Sequence, residues 1–243
     1  MVAWFLIIGS SNCQEERHII QASMGLKMIP ISEEVEETFW ISETEVTRLQ
    51  WATISGDSLP EIGDRDKPKS DISLLDALRF STFLTNRDRS SGIIGNELAY
   101  CVPTAKQWRL AAGEEQERNL PFEVSEAPRF SVFGMSPSNS PSSVKSKNPN
   151  KFGLYDMHGN LFEWTISFSS SIKRVGDGNL IDLDCMVVGG AYFSDLTECG
   201  FRSGASTQID KRIGGVGLRL TLIKTNNLIF KDRANIVGVR SSE

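Results

Sequence analysis

The clearest hydrophobic pattern in this chain has the period of an α-helix and covers residues 71–84. Its apolar residues recur every three or four positions, so that they share one face of a helix. These residues are Leu74, Leu75, Leu78, Phe83 and Leu84. Asp71 or Ser73 is placed to cap the helix, since its side-chain oxygen can accept hydrogen bonds from the first backbone amides. The polar residues 87–96 that follow predict a connection.

Two other segments each combine a short strand with a capped helix. Phe39–Ser42 is rich in aromatic and β-branched residues, as strands are, and Thr44 or Thr47 opens a helix directly after it. The same order recurs over residues 100–113, where Thr104 is placed to cap the helix. Both helices are therefore expected to begin at a threonine.

Much of the remaining sequence predicts loops and short strands. Residues 55–70 are rich in Gly, Pro, Asp and Lys, and residues 125–150 in Ser, Pro and Asn, so both predict loops. The acidic run 33–37 predicts a solvated loop or edge. Residues 186–192 and 214–220 have the composition of short strands. Helices early and strands late predict an α+β fold with much irregular structure. Loops of this length in a compact domain are either functional or disordered, and a buried cation is one way to hold them in place.

Composition and charge argue against two classes of protein. The chain has 243 residues, 40% of them hydrophobic, which is enough for a sizeable core. Its formal net charge of -5 argues against nucleic-acid binding, because such proteins normally carry a basic face. No segment approaches the roughly 18 apolar residues that a membrane span requires.

The N-terminus has two interpretations. The apolar run Val2–Ile8, the small residues after it and Cys13 resemble a clipped bacterial lipoprotein leader, with Cys13 as the lipid anchor. The segment Gln14–Glu16, which contains two glutamates, resembles the acidic signal that follows such a cysteine in some Bacteroidetes surface lipoproteins. No Lys or Arg precedes the apolar run, and Asn12 is a poor residue just before a cleavage point, so the alternative is an ordinary N-terminal strand or a misassigned start. The first interpretation places the protein at the cell envelope, and the second in the cytoplasm.

Residues 153–164 contain the most informative local motif. Asp156 and Glu163 flank the Gly159–Asn160 turn, and apolar residues surround them. Calcium takes about six to eight oxygen ligands from carboxylates, backbone carbonyls and water, so this loop can form an oxygen cage. The alternative is a tight turn with two solvated acids. His158 is expected to be a turn residue beside the glycine.

Cysteine and histidine spacing shows no transition-metal signature. The cysteines are Cys13, Cys101, Cys185 and Cys199, and none of them forms a C-x-x-C pair. The chain has two histidines, so a three-histidine iron site is excluded.

Several segments, in order, resemble the formylglycine-generating enzyme family, also called the sulfatase-modifying factor domain. Phe39–Thr47 is similar to the family's aromatic–Ile segment ending in Glu-Val-Thr, and Cys101–Trp108 to its Pro-Thr segment ending in Trp. Phe152–Trp164 is close to its signature Gly-Leu-Tyr-Asp-Met-x-Gly-Asn with Glu-Trp. Val188–Tyr192 and Gly217–Arg219 are similar to its Gly-Gly and Gly-Phe-Arg segments. The likeness extends from about Met28 to Leu220.

The resemblance implies a single domain with a C-type-lectin-like core, short strands, few helices and much irregular loop. We expect this domain over residues 26–222, with a leader or extension at 1–25 and a tail at 223–243. In the family the signature loop binds calcium. Carried over by position, Asp156 and Glu163 supply side-chain oxygens, and Gly159 and Leu161 supply backbone carbonyls.

The family's best-known members use copper to oxidise a cysteine, and this chain departs from their pattern. Two cysteines five residues apart hold Cu(I) there, because soft thiolates suit that ion. The matching positions here are Ser194 and Cys199, and a hydroxyl cannot replace a thiolate. Three further positions in that region also differ, namely Ala191, Phe162 and Gly215. Copper binding is therefore not expected, although Arg202 near Cys199 leaves an altered chemistry open.

Two functions follow from these patterns. The first is a non-catalytic binding or structural module, stabilised by calcium and without formylglycine-generating activity. Its ligand would be a protein, a glycan or another small molecule, which the sequence does not identify. The alternative is an oxidoreductase-type enzyme of altered chemistry that uses Ser194, Cys199 and Arg202 in the former copper pocket.

Overall fold

Two β-sheets form the frame of the protein in a computed structural model that describes residues 19–32, 38–114, 118–167 and 184–225. The strands in these ranges are β1 (Ile20–Gln21), β2 (Lys27–Ile31), β3 (Phe39–Ser42), β4 (Leu98–Cys101), β5 (Phe162–Ser167), β6 (Asp184–Val188), β7 (Gly204–Ser206), β8 (Val216–Gly217) and β9 (Thr221–Lys224). Helices and strands occur together, so the predicted α+β class is confirmed.

The larger sheet holds both ends of the described chain. Its strand order is β1-β2-β3-β9-β4, and every neighbouring pair is antiparallel. Strand β9 comes late in the chain yet lies between β3 and β4, so that Leu222 pairs with Trp40 on one side and Tyr100 on the other. A late strand therefore joins two early ones.

The smaller sheet carries the motif residue Glu163 in its middle. Its strand order is β7-β6-β5-β8, in which β5 and β8 are parallel and the other pairs are antiparallel. Glu163 in β5 lies between Val188 of β6 and Gly217 of β8. This register brings Glu163 close to the chain segment that leads to Arg219.

Helix caps form where the sequence predicts them. The helices of the described residues are α1 (Arg48–Ser55), α2 (Leu74–Ser90), α3 (Ala105–Ala112) and α4 (Ala127–Phe130). The side chains of Thr47, Ser73 and Thr104 each accept a hydrogen bond from the third amide of their helix, and each helix returns a side-chain bond. Thr47 rather than Thr44 caps α1.

Helix α2 runs more than a turn beyond the predicted end, and the connection expected over residues 87–96 is wrong in its first part. Tertiary contacts account for the extension. Asp88 is buried and its Oδ2 accepts a hydrogen bond of 2.9 Å from the Tyr100 hydroxyl. The Arg89 guanidinium donates to the Leu98 carbonyl at 2.6 Å. These polar residues stay helical because β4 pairs with them, which no local pattern reveals.

The hydrophobic core lies around buried tryptophans. Trp164 and Trp108 are fully buried, and the Trp164 ring nitrogen donates to the Ile72 carbonyl at 3.0 Å. Trp51 stacks on Phe80 with ring centroids 4.6 Å apart.

The domain boundaries predicted at residues 26 and 222 both fall within the span of the larger sheet. Strand β1 precedes residue 26, and β9 continues to Lys224, so the larger sheet crosses both boundaries. Cys13 and the acidic run 33–37 lie outside the described residues. Within the described ranges, no helix has both the length and the apolar character needed to cross a bilayer.

Candidate functional site

The signature loop is held in a conformation that few residues adopt. Asp156 and Asn160 have φ values of 57° and 63°, in the left-handed region. Gly159 has a φ of 83°, and a Cβ there would clash with the Val132 backbone. Its amide donates to the Gly189 carbonyl at 2.7 Å. The loop therefore packs closely at Gly159 between the segments that contain Val132 and Gly189.

Glu163 is the most constrained acid of this loop. Its carboxylate is 1% exposed and accepts a hydrogen bond of 2.6 Å from the Trp108 ring nitrogen. The Arg219 guanidinium, 0% exposed, donates to both carboxylate oxygens at 2.9–3.0 Å. Arg219 also donates to the carbonyls of Ser42 and Tyr155, each at 2.7 Å. Both oxygens of Glu163 are thus engaged in a buried ion pair.

Asp156 is also buried but keeps one oxygen without a partner. Its Oδ2 accepts a hydrogen bond of 2.8 Å from the Lys145 amide. Among the described residues nothing hydrogen-bonds to its Oδ1. Burial raises the pKa of this carboxyl to about 6.

Glu45 adds a third buried carboxylate, which the motif did not indicate. Its oxygens accept hydrogen bonds from the Asn160 side chain at 2.7 Å and the Leu161 amide at 3.0 Å. Burial, and then the charges of Asp156 and Glu163, raise its pKa well above the ordinary value. Glu45 and Arg219 both belong to segments that resemble the family. The sequence therefore indicates that Glu45 and Arg219 belong to family-like segments, but it does not indicate that they lie close to the signature loop.

The predicted calcium ligands fit the structure in part. The alternative of two solvated acids is wrong, because Asp156 and Glu163 are 3% and 1% exposed. Three buried carboxylates lie near the Arg219 guanidinium, and Asp156 Oδ1 has no hydrogen-bond partner among the described residues. Glu163 fits poorly, since both its oxygens already accept from Arg219. In the described ranges, no three Asp, Glu, His or Cys side chains converge as a metal site.

The three residues of the former cysteine pocket do not share an accessible site. Ser194 is 2% exposed and its hydroxyl accepts a hydrogen bond of 3.2 Å from the Ala191 amide. Cys199 is 0% exposed, and burial raises the pKa of its thiol to about 12. Gly190 packs on it so closely that an added Cβ would lie 2.6 Å from the sulfur. Arg202 is exposed, and its backbone amide donates to the Asn119 side chain.

His158 lies in the bend directly before Gly159, as expected, and its side chain is buried. Its ring is 3% exposed, and its Nδ1 lies 2.7 Å from the Cys199 carbonyl. Nothing in the described part of the chain hydrogen-bonds to its Nε2. Burial lowers the pKa of this imidazole to about 4, so the ring is neutral at pH 7.

A cavity of about 220 Å³ lies beside the signature loop, and the sequence did not predict it. Asp156 and His158 contribute to its wall together with apolar side chains. The rings of Phe122 and Phe130 also line it, stacked with centroids 5.3 Å apart. Phe122 lies outside every predicted helix, strand and loop, and its ring contacts that of His158 edge-on with centroids 5.4 Å apart. We call this space the loop cavity.

Comparison with known proteins identifies the architecture. The family model described as Sulfatase-modifying factor enzyme 1-like domain matches residues 12–223. Treponema denticola variable protein 1 superposes with a TM-score of 0.65 at 16% identity, covering 84% of this chain and 98% of that protein. PvdO from Pseudomonas aeruginosa has a TM-score of 0.63 at 16% identity, covering 85% and 98%.

A third structure, CarF, superposes with a TM-score of 0.58 at 18% identity, covering 79% of this chain and 92% of CarF. At these identities the likeness concerns the fold alone. No curated protein matches this chain significantly.

We expect Arg219→Met to destabilise the protein by about 3–5 kcal/mol, because it leaves Glu163 as an uncompensated buried charge. Arg129→Met is the matched control. Arg129 is 64% exposed and pairs with a half-exposed Glu126, so its loss should cost about 1 kcal/mol or less. Urea unfolding, monitored by tryptophan fluorescence, measures the free energy of unfolding of both variants. Equal costs for the two variants would show that the buried pair contributes no more than a surface pair.

The pKa shifts of Asp156 and His158 predict opposite changes in stability with pH. Between about pH 4 and pH 6 folded Asp156 holds its proton while the unfolded group has lost it, so its contribution falls as pH rises. Folded His158 stays neutral there while the unfolded imidazole is protonated, so its contribution rises with pH.

Asp156→Asn removes the contribution of Asp156, which falls with pH, and leaves that of His158, which rises with pH. Its free energy of unfolding should therefore increase more steeply with pH over this window than that of the unmodified chain. Urea titrations in EDTA measure the slope, and Asp210→Asn, at an exposed position, serves as control. An unchanged slope in Asp156→Asn would contradict a raised pKa at this carboxyl.

Proposed function

We propose that this chain, which belongs to the family of Sulfatase-modifying factor enzyme 1-like domains, is a non-catalytic binding or structural module. One observation carries the proposal. Cys199, at the position of one copper-binding cysteine, is 0% exposed, and Ser194 stands at the position of the other.

The chemistry of these two groups supports a loss of copper oxidase activity. Cu(I) is held by soft thiolates, and a thiol with a pKa of about 12 is protonated at neutral pH. The Ser194 hydroxyl is a hard ligand, and it is already bonded to the Ala191 amide. A substrate peptide would also have to reach a sulfur that Gly190 covers.

The alternative is an enzyme of altered chemistry that uses Ser194, Cys199 and Arg202. The first two are buried while Arg202 is exposed, which argues against a shared reaction centre. A reactive cysteine needs a lowered pKa, and burial acts on Cys199 in the opposite direction. The binding module therefore agrees better with the geometry.

Recognition by such a module would use loops on a rigid scaffold. The segment between β6 and β8 combines the buried turn around Ser194 with an exposed stretch that includes β7. We keep proteins, glycans and other small molecules as ligand classes for this surface. A lipid anchor at Cys13 would place the surface at the cell envelope, and it stays a prediction.

We further propose that calcium stabilises the signature loop. Asp156 Oδ1 would be its side-chain ligand, with the carbonyls of Gly159 and Leu161 beside it. Glu163 would take part only by sharing an oxygen with Arg219. The surplus of buried negative charge over Arg219 supports a cation at this place. Such an ion would supply charge neutralisation and hold the loop, with no role in a reaction.

Calcium should raise the melting temperature, because a ligand that binds only the folded state stabilises it. At about 100-fold excess over the dissociation constant the gain is about 2.7 kcal/mol, or roughly 5 °C or more. Asp156→Asn should abolish this rise, whereas Asp210→Asn should retain it. Differential scanning fluorimetry in calcium and in EGTA measures the shift. Identical melting curves of the unmodified chain in both buffers would sink the calcium proposal.

The purified chain should neither take up stoichiometric Cu(I) nor consume oxygen with a cysteine-containing peptide. Competition against a Cu(I) chelator and an oxygen electrode measure the two properties. Cys199→Ala is the matched variant, and it should behave like the unmodified chain. Oxygen consumption that depends on Cys199 would overturn the module and favour the enzyme.

A further inference from the structure

We propose that a second cleft, which Lys27, Glu43 and Lys145 line beside helix α1, binds a small organic phosphate. We call it the lysine cleft. The inference rests on the proposed binding function and gives it a ligand class. It depends on two lysines that share one carboxylate, on the strained backbone of one of them, and on the size of the cleft.

The lysine cleft has the dimensions of a small-molecule site. Its volume is about 470 Å³, within the roughly 300–1,000 Å³ that ligand pockets occupy. The turn between β1 and β2, the segment after β3, the first turn of α1 and residues 143–145 form its wall. Met24, Leu49 and Val144 give this wall a half-buried apolar part, which suits the carbon part of a ligand.

Two ammonium groups meet at one carboxylate in this cleft. The Lys27 ammonium lies 3.3 Å from Glu43 Oε1, and the Lys145 ammonium donates to Glu43 Oε2. The Glu43 side chain is 12% exposed, whereas those of the two lysines are 39% and 46% exposed. An ammonium has three N–H donors, and Glu43 takes one from each lysine. The remaining donors are accessible for a ligand that accepts hydrogen bonds.

Lys145 is fixed by an unusual backbone conformation. Its φ of 63° lies in the left-handed region, which a residue with a Cβ rarely adopts. Its amide donates to Asp156 Oδ2 at 2.8 Å, and its ammonium lies 5.4 Å from the centre of the Tyr155 ring. Strain of this kind concentrates at sites of binding and catalysis. The Lys145 ammonium is therefore positioned before a ligand arrives.

The placement of the charges favours an anionic ligand. The charged residues of the lining are Lys27, Lys145, Glu43 and Asp66. Both oxygens of Glu43 already face ammonium groups, so a cationic ligand would have to displace a lysine. Asp66 is exposed, where water weakens its field. The positive end of the α1 dipole also favours an anion.

The number of free donors favours a phosphate over a carboxylate. A phosphate monoester carries nearly two negative charges and three acceptor oxygens at neutral pH. A carboxylate has one charge and two oxygens. Two ammonium groups, each with donors to spare, therefore match the phosphate better.

Isothermal titration calorimetry of the full chain in EGTA tests the ligand class with a panel. Phenyl phosphate carries the dianion and a carbon body, benzoate carries one charge, benzyl alcohol none, and benzylamine the opposite charge. We expect phenyl phosphate to bind more tightly than each of the others by about tenfold or more, since one charged hydrogen bond contributes that much. Absence of phenyl phosphate binding, or equal affinity for benzoate or benzyl alcohol, would overturn the proposal.

Variants locate the binding at the lysine cleft. Lys27→Met and Lys145→Met should each weaken phenyl phosphate about tenfold, because each removes one ammonium group. Lys151→Met is the matched control. Lys151 is exposed and outside the cleft, and its ammonium also lies 5.4 Å from a ring centre, that of Phe152. An equal loss in Lys151→Met and Lys145→Met would show that general positive charge, and not the cleft, attracts the ligand.

Folding of the variants is checked by circular dichroism melting curves. Lys145→Met keeps the backbone amide that donates to Asp156. Lys27→Met leaves the residue with the unusual φ in place, so it decides the question even if Lys145→Met is unfolded.

The outcomes also separate this inference from the proposed function. Failure of phenyl phosphate to bind would refute the ligand class while the copper and oxygen results still supported a non-catalytic module. Cys199-dependent oxygen consumption would refute the module whatever phenyl phosphate does.

Discussion

The buried ion pair between Glu163 and Arg219 connects the parts of this protein that the chain itself keeps far apart. Glu163 lies in the smaller sheet, and the same guanidinium donates to Ser42 of the larger sheet and to Tyr155 of the signature loop. A planar guanidinium suits this task because its donors point in fixed directions. The two sheets and the loop therefore share one fully buried charge, and Trp108 covers the remaining carboxylate edge.

This arrangement leaves the neighbourhood with too much negative charge. Arg219 neutralises Glu163, while Glu45 and Asp156 are buried beside it and have raised pKa values. Buried carboxylates are tolerated when they are protonated, paired or close to a cation. Asp156 Oδ1 lacks a protein partner among the described residues. The calcium proposal is motivated by this unpaired oxygen and by the buried acids around it.

The two candidate sites of the scaffold differ in what burial does to them. At Cys199 burial keeps the thiol protonated and out of reach, which removes the nucleophile that the family chemistry needs. Beside the loop cavity, burial leaves Asp156 Oδ1 and His158 Nε2 without a hydrogen-bond partner among the described residues. His158 links the two places, since its ring lines the cavity and its Nδ1 binds the Cys199 carbonyl. A binding role for this fold therefore does not require the two copper-binding cysteines.

The sequence by itself determined the features that depend on the identity of one residue or on residues close together in the chain. The caps at Thr47, Ser73 and Thr104, the strand Phe39–Ser42 and the family membership follow from local patterns, and Ser194 removes a thiolate in any conformation. Only the tertiary structure decided which group pairs with Glu163, which acids are buried, and how far α2 extends. The ion pair joins residues more than fifty positions apart, Glu163 and Arg219, and α2 is extended by contacts with the strand β4 that follows it. Burial and partner choice are set by packing between distant segments, and no local pattern encodes them.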